Sequence, residues 1–311
     1  MLQPMVRAGD TRAAGLLGIL MLYGKGISTD SLEGMRLIRV SAEDGNPSAQ
    51  GVLAYAHLTG EGAAKDRTAA RHLAELSAGK SDEVGQYVLA RIKLSESSAE
   101  SRATGADLLQ KSAAQGLPIA QYDLGKFLLL GWVVAKDLKA GSELLAQGAR
   151  HAQHLRLRAE LIKSLAPMFD AFVQKKAVLE CSGIMCGGRW GANRTDARYF
   201  YNNELWPELA AVVLKAGIPL DQTYFYLGRA AEGMGFLEAA SSYYALVPGA
   251  TSCRLFLNNC DGIEPSVESR VRLTLVEQQH QAERAEETAR LARAAQDTEA
   301  LRRRAEEQSL Q

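Results

Sequence analysis

Apolar residues recur at three- and four-residue intervals along most of the chain, and no stretch alternates apolar and polar positions long enough to read as a strand. The predicted fold class is therefore all-α. In the first half the pattern repeats. Ala13-x-x-x-Leu17-Gly18, then Gly24-x-Gly26, then Asp30 returns 36 positions later as Ala49-x-x-x-Leu53-Ala54, Gly60-x-Gly62 and Asp66. It returns again as Ala120-x-x-x-Leu124-Gly125, Gly131 and Asp137, and in each of these copies the aspartate lies 17 residues after the opening alanine. A degraded copy, about one residue short, sits between them at Gly85-x-x-x-Leu89-Ala90, where Ser95 to Ser98 replace the glycine turn.

Each repeated residue has a physical task in a helix pair. Small residues in the first helix let the second cross it closely. Gly24 and Gly60 stand where the first helix should end, in the left-handed conformation that closes a C-terminus. Asp30, Asp66 and Asp137 stand where the second begins, as acceptors for its free N–H groups, with Glu33 at capping-box spacing from Asp30. Leu37, Leu73 and Leu144 share one offset as its predicted buried anchor, and Pro47 and Pro118 suit the first turn of the next pair.

This motif resembles the Sel1-like repeat over roughly residues 8–150. The resemblance implies an α/α superhelical solenoid related to tetratricopeptide repeats, about four repeats long with the third degenerate. It also implies adaptor roles such as family members play in bacterial envelopes, host–microbe contacts and eukaryotic protein quality control.

Beyond the array (1–150), a second region over 151–262 is expected to be helical. Leu155, Leu161, Ile162, Leu165, Phe169 and Val173 keep the helical period, whereas CSGIMCGGRWGANR at 181–194 reads as a glycine-rich loop. A helix is expected from Leu205 to Lys215, a tetratricopeptide-like pair over 221–248, and a short element at Leu255 to Asn259. The third region, 263–311, reads as a long charged helix capped by Ser266. Its heptad seam through Leu291, Ala294, Thr298, Leu301 and Ala305 is poor, so it is expected to be a solvated helix, partly disordered, with helix-mediated association through 266–307 as the alternative.

Aromatic residues make up only 6% of the chain, so bulk has to be buried by alanine and leucine. Lys plus Arg and Asp plus Glu are equal at 36 each, which supplies no basic footprint for nucleic acid. No apolar run is long enough for a transmembrane helix. The opening residues read like the tail of a preceding repeat; an upstream export signal would make the protein periplasmic or secreted, and otherwise it is expected in the cytoplasm.

Four cysteines, Cys181, Cys186, Cys253 and Cys260, leave three readings open: two local disulfides, buried free thiols, or a zinc site that neither spacing favours. His151 and His154 read as a solvated pair, no histidine has a partner at metal spacing, and no nucleophile–base set is recognisable, so no catalytic residue, metal or cofactor is expected.

The expected function is a non-catalytic scaffold that binds another protein on the concave face lined by each pair's first helix. The variable positions of those helices supply the candidate contacts: Tyr55, Arg91 and Lys126 at one offset, Tyr87 and Tyr122 at another. The alternative is a periplasmic cell-envelope factor that binds a glycan or peptidoglycan-derived ligand on the aromatic residues between Trp190 and Trp206.

Overall fold

The computed structural model describes residues 2–24, 26–96, 98–150, 153–181, 184–255 and 260–309, apart from the side chains of 153, 184–189 and 301–309. The described residues form helices without a strand, in two compact units, Met1–Pro167 and Met168–Gln311. Unit 1 opens with α1 (Leu2–Arg7) and continues as helix pairs: α2 (Thr11–Tyr23) with α3 (Ser31–Glu43), α4 (Pro47–Thr59) with α5 (Arg67–Ala78), α6 (Glu83–Leu94) with α7 (Ala99–Ala114), and α8 (Pro118–Leu130) with α9 (Leu138–Ala149). α10 (Gln153–Leu165) closes it. No described helix is long and apolar enough to cross a membrane.

The repeated residues terminate the helices as their chemistry requires. Gly24, Gly60 and Gly131 end α2, α4 and α8 with φ of 61°, 84° and 64°. Asp30, Asp66 and Asp137 cap α3, α5 and α9 through their side chains. Their own N–H groups donate back to the first helix, to the carbonyls of Met21, His57 and Leu128 at 3.2, 2.9 and 3.0 Å. The aspartate thus begins one helix and pins it to the other. Glu33 does not complete the expected capping box, because its carboxylate binds Arg36 and the Asp30 N–H already has its carbonyl.

Within each pair the backbones meet at small residues. A Cβ on Gly18 would lie 2.7 Å from the Gly34 carbonyl oxygen, and one on Gly34 3.0 Å from that of Gly18. Gly125 and Gly141 form the same crossing in the last pair, and in the second pair Ala54 and Ala70, at the equivalent positions, are both fully buried in one cluster. In the degraded copy the partner of Ala90 is Gly105, one position early, whose Cβ would lie 3.0 Å from the Ala90 carbonyl. Ile38, Ala74 and Leu145 of the second helices are completely buried; of the predicted anchors, Leu37 is buried, whereas Leu73 and Leu144 are only partly buried. The two helices of a pair are also tied together through a buried serine of the second. Ser77 Oγ donates to the Pro47 carbonyl at 2.8 Å and Ser112 Oγ to the Glu83 carbonyl at 2.7 Å.

Unit 2 contains α11 (Phe169–Val173), α12 (Ile184–Asn202), α13 (Trp206–Ala216), α14 (Asp221–Gly233), α15 (Leu237–Leu246) and α16 (Pro265–Ser309). The expected loop at 181–194 is corrected here, since α12 runs through most of it. Trp190, Ala197 and Phe200 bury one stripe of that helix, and burial of this size outweighs the roughly 1 kcal/mol that each helical glycine costs. α13 and the α14–α15 pair fall where the sequence predicts them. Of the element expected at Leu255 to Asn259, Leu255 closes a 3-10 turn from Cys253, and 256–259 lie outside the described residues. α16 starts at Pro265, so Ser266 lies in its first turn and is not the cap; Ser269 and Val276 are buried, and residues 284–300 are exposed on every side. The side chains of Leu301 and Ala305 in the traced seam lie outside those described.

Substituting Gly125 by alanine should destabilise unit 1 by about 1–3 kcal/mol, because the new methyl meets backbone that cannot move aside. Gly191, helical with nothing near its Cβ position, should gain about 0.5–1 kcal/mol on the same change. Urea midpoints at unchanged slope check both.

Candidate functional site

The five contacts anticipated on the first helices come together as one cluster in unit 1, arranged around Asp123. Its Oδ2 accepts the Tyr87 hydroxyl at 2.9 Å and its Oδ1 receives the Lys126 ammonium at 2.9 Å. Tyr87, Tyr122 and Lys126 are buried, while Tyr55 and Arg91 are partly exposed. Tyr55 packs on Tyr87 with ring centroids 6.3 Å apart, and the Arg91 guanidinium lies 5.9 Å from the Tyr87 centroid. Tyr122 has two cations near its ring, Lys126 at 5.5 Å and Arg158 of α10 at 5.1 Å. The cluster therefore runs from α4 through α6 and α8 to α10.

Burial raises the Tyr87 hydroxyl well above the usual phenol range, and the Asp123 charge acts in the same sense. The proton stays on oxygen at physiological pH, so Tyr87 is a fixed donor. Burial raises Tyr55 as well. Around the buried Lys126 ammonium, one carboxylate oxygen pairs with it and two aromatic faces, Tyr122 and Phe127, lie beside it. The interior part of the cluster orients the residues at its edge, and of the five anticipated contacts Tyr55 and Arg91 are the two that are partly exposed, as are Asp123 and Arg158.

Sequence reasoning passed over Asp123 and Arg158. The signal for Asp123 was present: three residues after the opening position, the other copies carry Leu16, Val52 and Val88, and only the last carries a carboxylate. Arg158 had no such signal, because the repeat register is lost before it.

In unit 2 the aromatic residues between Trp190 and Trp206 pack mostly against each other and against α14. Trp190 is 1% exposed and donates Nε1–H to Gln222 Oε1 at 3.3 Å. Tyr201 lies between Trp206 and Tyr226 at 6.4 and 5.3 Å, and Arg229 lies 5.1 Å from the Trp206 centroid. Tyr199, at 55%, is the broadly exposed ring among them. Cys253 and Cys260 form a disulfide across seven positions, and Cys181 is disulfide-bonded too; the side chain of Cys186 lies outside those described. His154 is exposed, and His151 lies outside the described residues.

Changing Asp123 to alanine should cost about 3 kcal/mol or more, since it removes the carboxylate that accepts the buried Tyr87 hydroxyl and pairs with the buried Lys126 ammonium. Adding Lys126→Met should recover part of that loss. A double-mutant cycle by chemical denaturation measures the coupling, and strict additivity would refute the pairing.

No family model matches the chain, and no curated protein matches it. Among solved structures, the chain is similar to a Sel1 repeat protein from Oxalobacter formigenes, with 22% identity, a TM-score of 0.40, and coverage of 53% of this chain and 67% of that one. It is also similar to a protective antigen of uropathogenic Escherichia coli with an SLR fold, with 20% identity, a TM-score of 0.36, and coverage of 80% of this chain and 55% of that one. This chain thus spans just over half the length of the second protein.

Proposed function

We propose that unit 1 is a non-catalytic scaffold that holds a protein partner along the face built by α4, α6 and α8. One observation carries this reading: two accessible side chains of the types favoured as interface anchors, Tyr55 and Arg91, are held in place by a buried network. Side chains fixed before encounter lose less entropy on binding, so the same contacts give more affinity. Tyr87, Tyr122 and Lys126 act in this account by positioning, through Asp123 and the stacked rings, and Tyr55 and Arg91 touch the partner. In unit 2, buried rings serve the interior between α12 and α14, which leaves little aromatic surface for stacking a sugar.

A photo-reactive phenylalanine analogue placed at Tyr55 in the native host should yield a discrete crosslinked protein. The same analogue at Glu75, exposed on α5, should not. Arg91→Glu should weaken capture at position 55 by at least about tenfold, equivalent to about 1.4 kcal/mol. Equal adducts at both positions, or indifference to Arg91, would overturn the proposal.

A further inference from the structure

The start of α14 in unit 2 gathers an unusual donor set. A carboxylate oxygen of Asp221 and the sulfurs of Cys253 and Cys260 all lie within 4.8 Å of one another, and all three residues are buried. Their positions do not depend on the S–S bond alone. Asp221 Oδ1 accepts the N–H of Cys253 and that of Gln222, both at 2.7 Å. The Gln222 amide in turn donates to the Cys260 carbonyl at 3.1 Å and to Asp261 Oδ2 at 2.8 Å. Asp261 is ion-paired with Arg194 of α12. Opening the disulfide would therefore leave both cysteine backbones tethered to α14. Both of these N–H bonds to Asp221 fall on one of its carboxylate oxygens.

The geometry points to a redox-gated metal site: when the disulfide is reduced, Cys253, Cys260 and Asp221 bind one zinc ion or a similar borderline-soft divalent cation. A thiol or phosphine reductant supplies two electrons, and two protons convert the disulfide to two thiols. Zinc then displaces those two protons and binds two thiolates and the carboxylate, with a fourth position open to water. Tetrahedral coordination at a Zn–S distance of about 2.3 Å sets the sulfurs about 3.8 Å apart. With the two Cα atoms 5.8 Å apart, side-chain rotation suffices. The N-terminal end of α14 offsets part of the added negative charge. The cysteine spacing alone argues against a zinc site; the third donor comes from 32 residues upstream, where spacing rules do not look.

The test uses the full chain carrying Cys181→Ser and Cys186→Ser, with its helical circular dichroism matched to the parent, and the parent is carried through in parallel. After anaerobic reduction with a phosphine and its removal, cobalt(II) is titrated in. The expected result is one equivalent bound with thiolate-to-cobalt charge-transfer absorption, displaced by zinc and lost in Cys253→Ser. Asp221→Asn should weaken binding at least about tenfold. If reduction lowers the helical signal, zinc should restore it. Two free thiols without charge-transfer absorption, affinity unchanged by Asp221→Asn, or a lost helical signal that zinc fails to restore would each show a structural disulfide only.

Discussion

The architecture of unit 1 depends on backbone touching backbone at one point in each helix pair. Where Gly18 meets Gly34 and Gly125 meets Gly141, the carbonyl of one helix occupies the space a Cβ would take on the other. Ala90 with Gly105 makes the same crossing, and fully buried Ala54 and Ala70 stand at the equivalent positions of the second pair. Helices that approach this closely cannot slide, so the crossing fixes the register. The connecting turn is then short enough to be closed by a left-handed glycine and an aspartate whose N–H returns to the first helix. A buried serine of the second helix then bonds the first turn of its own pair's first helix, as Ser77 and Ser112 show, and Ser77 also reaches Asp82, the cap of α6. Small residues at a few positions therefore position large ones elsewhere, including the ring and charge cluster around Asp123.

Much of this was legible because glycine, aspartate and proline act locally. Their tasks are decided by backbone conformation and by free N–H groups within one turn, so the pairs, their ends and their spacing can be read from the residues. Properties decided by distant partners could not. The segment from Cys181 to Arg194 reads as a loop by its glycines, and what makes most of it helical is the burial of Trp190 against Tyr226 and Gln222. Of the second-helix anchors Leu37 is buried, whereas Leu73 and Leu144 are only partly so and the completely buried side chain follows one residue later, because a periodic leucine looks alike on either side of the crossing. Offset alone supplies the candidate contacts and cannot tell partly exposed Tyr55 from buried Tyr122; only the packing separates an anchor from its support.

The two units use polar groups differently. In unit 1 a buried ion pair and a tyrosine hydroxyl stiffen one face of otherwise apolar helix pairs, and the edge of that network is what a partner would meet. In unit 2 the buried polar residues Asp221, Gln222 and Asp261 tie the segment that begins at Cys253 to the first turn of α14. These bonds hold the cysteines near a carboxylate whether or not the sulfurs are joined, so the redox state of the pair bears on what the site can bind.

The central claim is that the close crossings hold unit 1 together, and amide hydrogen exchange on the full chain tests it most directly. The account predicts that the slowest amides of unit 1 lie in α4, α6 and α8 around Ala54, Ala90 and Gly125, exchanging through one shared opening. Fast exchange at those positions, with protection confined to the second helices α3, α5, α7 and α9, would contradict it.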